Sequence, residues 1–354
     1  MNDSPRGIGG ALKSLAKRQY FWGIVAIVVL LIINLIADPS YLALSVGADG
    51  QLVGNPIDIL RASAPIMMIA VGMCLVVATK GIDLSVGSTM AVAGAVGMEF
   101  LSSAPNTAGA AFTALLLVIL VSGALGAVNG LLVSVVGLQP FISTLVLMLA
   151  GRGLAKVITG GQNTAATNDV YQWFANGYVL GLPVVFLLAL GIVLLVGGLV
   201  RRSALGLMIE AIGMDAQAAR LAGINRRALL FTVYIASGVL AGFAGVFATA
   251  SVMTVDVSRT GNLLELDAIL AVVIGGTSLA GGKFSITGAT IGAILIATLD
   301  KTVVFLGIPS AATPAFKAIV IVALCLLQSE RVRKAFQKRR ARTARPNKRE
   351  AVAA

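Results

Sequence analysis

Seven residues could do chemistry in what is otherwise apolar sequence: Asp83, Ser85, Asn129, Phe141, Arg152, Glu265 and Asp267. Asp83 and Ser85 lie in "ATKGIDLSVGSTMAVAG" at 78–94, and Glu265 and Asp267 open "LELDAILAVVIGG" at 264–276. An acidic side chain at a helix start meets unpaired N–H groups and the positive end of the dipole. Asp83 therefore reads first as a helix cap assisted by Ser85, with Lys80 as an ionic alternative. Arg152, flanked by Gly151 and Gly153, calls for a buried partner or an aqueous path, whereas Lys156 reaches the interface. Glu265 and Asp267 would cap their span or meet a partner at its mouth. The amides of Asn34, Asn129 and Gln139 suit hydrogen bonds between helices, each worth about 1 kcal/mol.

Other chemistry is excluded. The 354 residues include no histidine, which removes imidazole acid–base catalysis and most zinc sites. Cys74 and Cys325 both fall in apolar runs and give no disulfide framework. No nucleophile–base pair and no glycine-rich phosphate loop ending in Gly-Lys-Ser/Thr is present, so the chain is not read as an enzyme.

The elements that must hold these residues are membrane helices. The chain is 58% hydrophobic and 12% charged with a mean hydropathy of +0.95, a balance that a water-facing surface does not allow. Ten apolar stretches can be marked, at 20–37, 60–79, 84–101, 111–134, 140–158, 178–200, 228–250, 267–282, 285–306 and 314–328. Most approach the roughly 20 residues that cross a hydrocarbon core. The start is basic then apolar like a signal peptide, but no small-residue cleavage site follows, so it reads as a retained first span. The expected fold is an all-α polytopic bundle of about ten spans. The third and eighth are the weakest, and eight spans would fit equally if both are re-entrant.

The net charge of +12 is not spread as in a nucleic-acid binder. Lys80, the arginines at 201, 202, 220, 226 and 227, Lys283 and the tail after 328 alternate with neutral or acidic loops. That pattern places both termini in the cytoplasm and the tail near anionic lipid. The division is then a cytoplasmic N-terminus at 1–19, a membrane domain at 20–328 with a cytoplasmic loop at 201–227, and a basic tail at 329–354.

Small residues recur at helical spacing, as in Gly126 and Gly130, Gly238 and Gly242, and Gly288 and Gly292. Such pairs let helices approach closely in lipid. "DLSVGSTMAVAG" at 83–94 is echoed by "KFSITGATIGA" at 283–293, an echo compatible with two related halves. The loop "RRSALGLMIEAIGMDAQAARLAGINRRALLF" at 201–231 reads as a short amphipathic helix. Its stripe of Ile212, Ala216, Ala219 and Ala222 would dock in a groove of another protein or rest on lipid.

Within that loop, "EAIGMDAQAARLAGI" resembles the coupling segment of permease subunits of ATP-binding-cassette sugar importers, in the ribose/galactose/arabinose branch. The resemblance extends from about residue 55 through "GIDLSVGSTMAVAG", "QPFISTLVLMLAGRGLA", "LELDAILAVVIGGTSLAGGKFS" and "PAFKAIVIVALCLLQS". Two of its stretches, at 54–87 and 138–162, are most similar to the galactofuranose importer's permease. The resemblance implies a permease that hydrolyses nothing, binds no cofactor of its own and pairs with a second permease subunit as a homodimer. A partner ATPase would consume ATP, and a periplasmic or extracellular binding protein would deliver a monosaccharide. It implies Glu210, Ala211, Gly213, Ala219, Arg220 and Gly223 as the ATPase-facing set. The rival is a secondary sugar transporter driven by an ion gradient, which needs membrane-embedded charges for coupling. The carboxylates here cluster at span ends instead.

Overall fold

A computed structural model describes residues 20–47 and 50–328; the expected N-terminal segment at 1–19 and the basic tail at 329–354 lie outside the described residues. Thirteen α-helices are described: α1 (Phe21–Ala37), α2 (Asn55–Ala78), α3 (Val86–Ser103), α4 (Ala108–Leu131), α5 (Pro140–Ile158), α6 (Asp169–Asn176), α7 (Val184–Arg202), α8 (Leu205–Met214), α9 (Ala216–Leu221), α10 (Arg226–Val252), α11 (Leu264–Ile274), α12 (Ile286–Phe305) and α13 (Thr313–Gln328). α4 continues through a wider turn at Leu132–Val136. Six of them are long and apolar enough to cross a membrane: α2, α4 with its extension, α5, α7, α10 and α12. α1, α3, α11 and α13 complete the alternation between two faces.

Local chemistry sets many of the boundaries. Asn168, Asn225 and Ser285 cap α6, α10 and α12 by accepting the backbone N–H of Tyr171, Ala228 and Gly288. Proline, which needs no N–H partner in a first turn, opens α2 and α5. The eighth span ends at Ile274, eight residues before the expected 282, because Gly276, Gly281 and Gly282 take left-handed φ values that L side chains rarely adopt.

The core is built on α2 and α10. α2 packs against α7, α10, α11 and α12, while α10 also holds α3, α4 and α6. The small-residue pairs do what their spacing suggests. A Cβ on Gly126 or Gly238 would strike backbone of the facing helix, and one on Gly292 would strike the Ala271 carbonyl. α4–α10 and α11–α12 therefore lie nearly backbone to backbone. Asn34 donates to Thr302 Oγ1 at 2.8 Å, the expected kind of interhelical hydrogen bond.

Contacts among the connections define the two faces. On one, the Gly282 N–H donates to the Ala78 carbonyl at 2.9 Å and Lys80 Nζ donates to the Met214 carbonyl at 3.1 Å. We call this the α8–α9 face. The other, the strand face, carries β1 (Ser45–Val46) paired with β2 (Leu52–Val53), β3 (Thr164–Ala165) with β6 (Thr254–Val255), and β4 (Tyr178–Val179) with β5 (Leu182–Pro183). All three pairs are antiparallel. The helix α6, unforeseen in the long loop after span five, lies on this face and is tied to α10 by Asn176 Nδ2 donating to the Ser251 carbonyl at 2.9 Å.

Candidate functional site

Three clusters account for the residues singled out by sequence. The first is the loop between α7 and α10. It folds as two helices rather than one, because Asp215 adopts an extended backbone and its carboxylate caps α9, accepting from Gln217 N at 2.8 Å and Ala218 N at 3.0 Å. The Ala218 and Gln217 N–H groups hold the Asp215 carboxyl below its ordinary range, and Lys80 adds to the effect. Of the expected stripe, Ile212 and Ala219 are buried, Ala216 is half-buried and Ala222 is exposed. Gly213 turns inward, where an added Cβ would collide with the Ala78 carbonyl and the Gly282 backbone. Gly213 and Ala219, both in the expected ATPase-facing set, thus seat the loop on the bundle. Arg220 and Gly223 are exposed, while Glu210 and Ala211 are half-buried. Large apolar side chains stand out beside them, with Leu207 at 74%, Met214 at 68% and Leu221 at 85% exposure. Glu210 lines a cavity of about 230 Å³ with Arg201, Leu207 and Phe284.

The second cluster surrounds Asp83. Its Oδ1 accepts from Ser85 N at 3.0 Å and Ser85 Oγ at 2.6 Å, and its Oδ2 accepts from Ser237 Oγ at 2.8 Å. Asn129 Nδ2 donates to Ser85 Oγ at 2.8 Å, and Ser143 Oγ donates to Asn129 Oδ1 at 3.1 Å. This chain ties the segment before α3 to α4, α5 and α10. Asp83 thus closes a turn onto Ser85, the N-cap of α3, rather than bonding a free N–H of the first helical turn, and Lys80 is not its partner. The buried Tyr234 hydroxyl lies against Gly81. Phe141, on α5, is 46% exposed and outside this network.

The third cluster surrounds the start of α11. Arg152 Nη1 donates to the Thr260 carbonyl at 2.6 Å and interacts electrostatically with Glu265. Glu265 is buried, with Oε2 lacking a hydrogen-bond partner, against Gly87 of α3, where a Cβ would collide with that oxygen and with the Gly261 carbonyl. Asp267 points to the other side of α11. Lys317 Nζ contacts its Oδ1 at 3.1 Å and Oδ2 at 2.8 Å, and reaches Asp300 Oδ1 at 2.8 Å. Asp267 and Lys317 line a cavity of about 500 Å³ between α11 and α13, with Asn262, Leu266 and Thr313. Among the described residues no group of three or more Cys, Asp or Glu is arranged to hold a metal ion.

Sequence reasoning missed Lys317, Ser237 and the exposed Leu207, Met214 and Leu221. Lys317 had a usable signal, since a lone lysine inside an apolar span faces a partner or a water-filled space. Ser237 had none, because a serine in a membrane helix is ordinary.

A family model described as a branched-chain amino acid transport system, permease component, matches residues 55–327. The fructose import permease protein FruF of Bifidobacterium longum is 52% identical over 326 residues, 91% of this chain and 90% of the relative. The galactofuranose transporter permease protein YtfT of Escherichia coli is 40% identical over 321 residues, 89% of this chain and 92% of the relative. The ribose import permease protein RbsC of Escherichia coli is 36% identical over 332 residues, 90% of this chain and 99% of the relative. No solved structure gives a significant match.

Proposed function

This chain belongs to the family of transport-system permease components, and from that premise we propose that it is the membrane subunit of an ATP-binding-cassette importer of a monosaccharide. Fructose is the first sugar to test, because the 52% relative bears that name; galactofuranose and ribose come next. The chain pairs with a second permease subunit, receives sugar from a binding protein on the strand face, and binds no cofactor. ATP is hydrolysed by a partner docked on the α8–α9 face.

The observation that carries this reading is the construction of α8 and α9. The loop is seated on the bundle by Gly213, so a push on it reaches the ends of α2 and the α11–α12 connection. Leu207, Met214 and Leu221 expose apolar surface beside Arg220, which suits a protein groove. Lys80, Arg201, Arg202, Arg220, Arg226, Arg227 and Lys283 share this face, whereas Asp38, Asp169 and Asp256 lie on the strand face. By the positive-inside rule the α8–α9 face is cytoplasmic. The membrane is then the bacterial cytoplasmic membrane.

The test is retention of the ATPase. Co-expressed ATPase subunit should purify with the wild-type chain and be lost when Leu221→Asp and Arg220→Ala are combined, at unchanged membrane insertion. An ATPase that stays bound to the double variant, or is never retained by the wild type, contradicts the assignment.

A further inference from the structure

We propose that the cavity between α11 and α13 is where the permease itself reads its cargo, and that it takes a neutral, polyhydroxylated molecule of monosaccharide size through Asp267 and Lys317. The inference rests on the importer reading for the identity of the cargo as a sugar; the placement of the site rests on geometry.

Depth comes first. Gly275 packs on Gly288 and Ala271 on Gly292, which fixes an antiparallel register between α11 and α12. Gly292 lies about 9 Å along α12 from Ile286, and Asp267 about 6 Å further, at 1.5 Å per residue. Asp267 thus sits about 15 Å from the α8–α9 end, near the midplane of a hydrocarbon core of about 30 Å. α11 begins there, after the non-helical stretch Asp256–Leu263, so this crossing is a broken one. Transporters commonly place cargo sites at midplane breaks of this kind. The cavity runs from Thr313 and Pro314, at the strand-face end of α13, to Val322, about 13 Å deeper. Its lining thus reaches the strand-face end of α13.

Size and chemistry select the cargo. A volume of about 500 Å³ lies within the roughly 300–1,000 Å³ of small-molecule sites. Leu263, Leu266, Leu270 and Ala318 supply an apolar wall for C–H surface. Beside the Asn262 amide and the Thr313 hydroxyl stand a carboxylate and an ammonium side by side, which suits hydroxyls because each can donate to Asp267 and accept from Lys317. The ion cluster of Asp267, Asp300 and Lys317 sums to one negative charge, which disfavours sugar phosphates and sugar acids. Asp300 also lets Asp267 turn to a ligand while Lys317 keeps a carboxylate partner at 2.8 Å. Three other cavities among the described residues differ. Those of about 230 and 140 Å³ lie at the α8–α9 face, and the one of about 330 Å³ lies near the strand-face ends of α2 and α10.

The experiment uses vesicles holding the chain with its ATPase and binding protein. Fructose, galactose and ribose are the probes, and the sugar moved fastest is compared with those of its mono-deoxy analogues that the binding protein still binds. Wild type should prefer the parent over at least one analogue by about tenfold, as sites built around a hydroxyl do. Asp267→Asn should shrink that preference to within about twofold. Lys317→Arg, which keeps the ion cluster, should also shift the preference and serves if Asp267→Asn fails to accumulate. A preference unchanged in both variants, with all uptake lowered by one common factor, would make the cluster a structural clamp and overturn the proposal. Wild-type vesicles that move none of the three sugars would sink the sugar-importer reading instead.

Discussion

Asp83 and Asp267 are both buried carboxylates near the start of a membrane helix, yet the structure builds opposite surroundings for them. Around Asp83 every partner is neutral: two serine hydroxyls and one backbone N–H satisfy it, and small residues close the space. Around Asp267 the partner is a lysine shared with a second carboxylate, and one side is an open cavity. The difference teaches that a polar residue at a span start does not by itself mark a working site. Unfilled volume beside a charged pair distinguishes the two. The Asp83 network locks α3, α4, α5 and α10 into one body; the Asp267 cluster holds α11, α12 and α13 with groups that can exchange partners.

Substitutions should separate the two regions. Lys317→Leu should cost most, because removing the partner of the buried Asp267 carboxylate strands it at about 3–5 kcal/mol; a thermal-shift assay of the detergent-solubilised chain reads it. Gly213→Val should come next. Overpacking typically costs about 1–3 kcal/mol, and more where backbone is struck. Its loss should appear both in thermal stability and in ATPase retention, since Gly213 seats α8 on α2. Asp83→Ala should cost about 1–3 kcal/mol by leaving buried donors unpaired. It should leave the preference among bound sugars unchanged, and a changed preference would break the contrast with Asp267. Lys301→Ala, which removes a partly exposed pair with Asp58 at 2.6 Å, should change stability by no more than about 1 kcal/mol.

The smallest effect concerns pH at Asp215. Its carboxyl sits below the ordinary value, so its cap on α9 is in force above that value and is lost as pH falls through the depressed one. The protection of the Gln217 and Ala218 amides, taken against the intrinsic exchange rate at each pH, should fall only below the ordinary carboxylate range. Loss of protection near neutrality would contradict the cap.

Much of this architecture was legible from hydropathy alone. The fifth span was read at 140–158 and forms Pro140–Ile158, and the glycine pairs identified close helix approaches before any coordinates. These signals are local in sequence. The eighth span was read too long because apolar composition does not register the left-handed glycines that end α11. Asp83 was placed at a helix start beside Ser85, a local relation, but it bonds Ser85 rather than the free N–H groups of α3. Its bond to Ser237, 154 residues away, was invisible. Lys317 was passed over within an apolar run, and nothing local tells that Asp267 and Asp300 converge on it. The inward turn of Gly213 likewise depends on where α2 ends, which is a tertiary fact.

The central claim is that this chain moves sugar only when a partner hydrolyses ATP. The direct measurement is radiolabelled sugar uptake into vesicles holding the chain alone, or with ATPase and binding protein, under ATP or under an imposed proton or sodium gradient. The account predicts uptake only in the complete assembly with ATP, and none by the chain alone under either gradient. Gradient-driven uptake without the ATPase would contradict it.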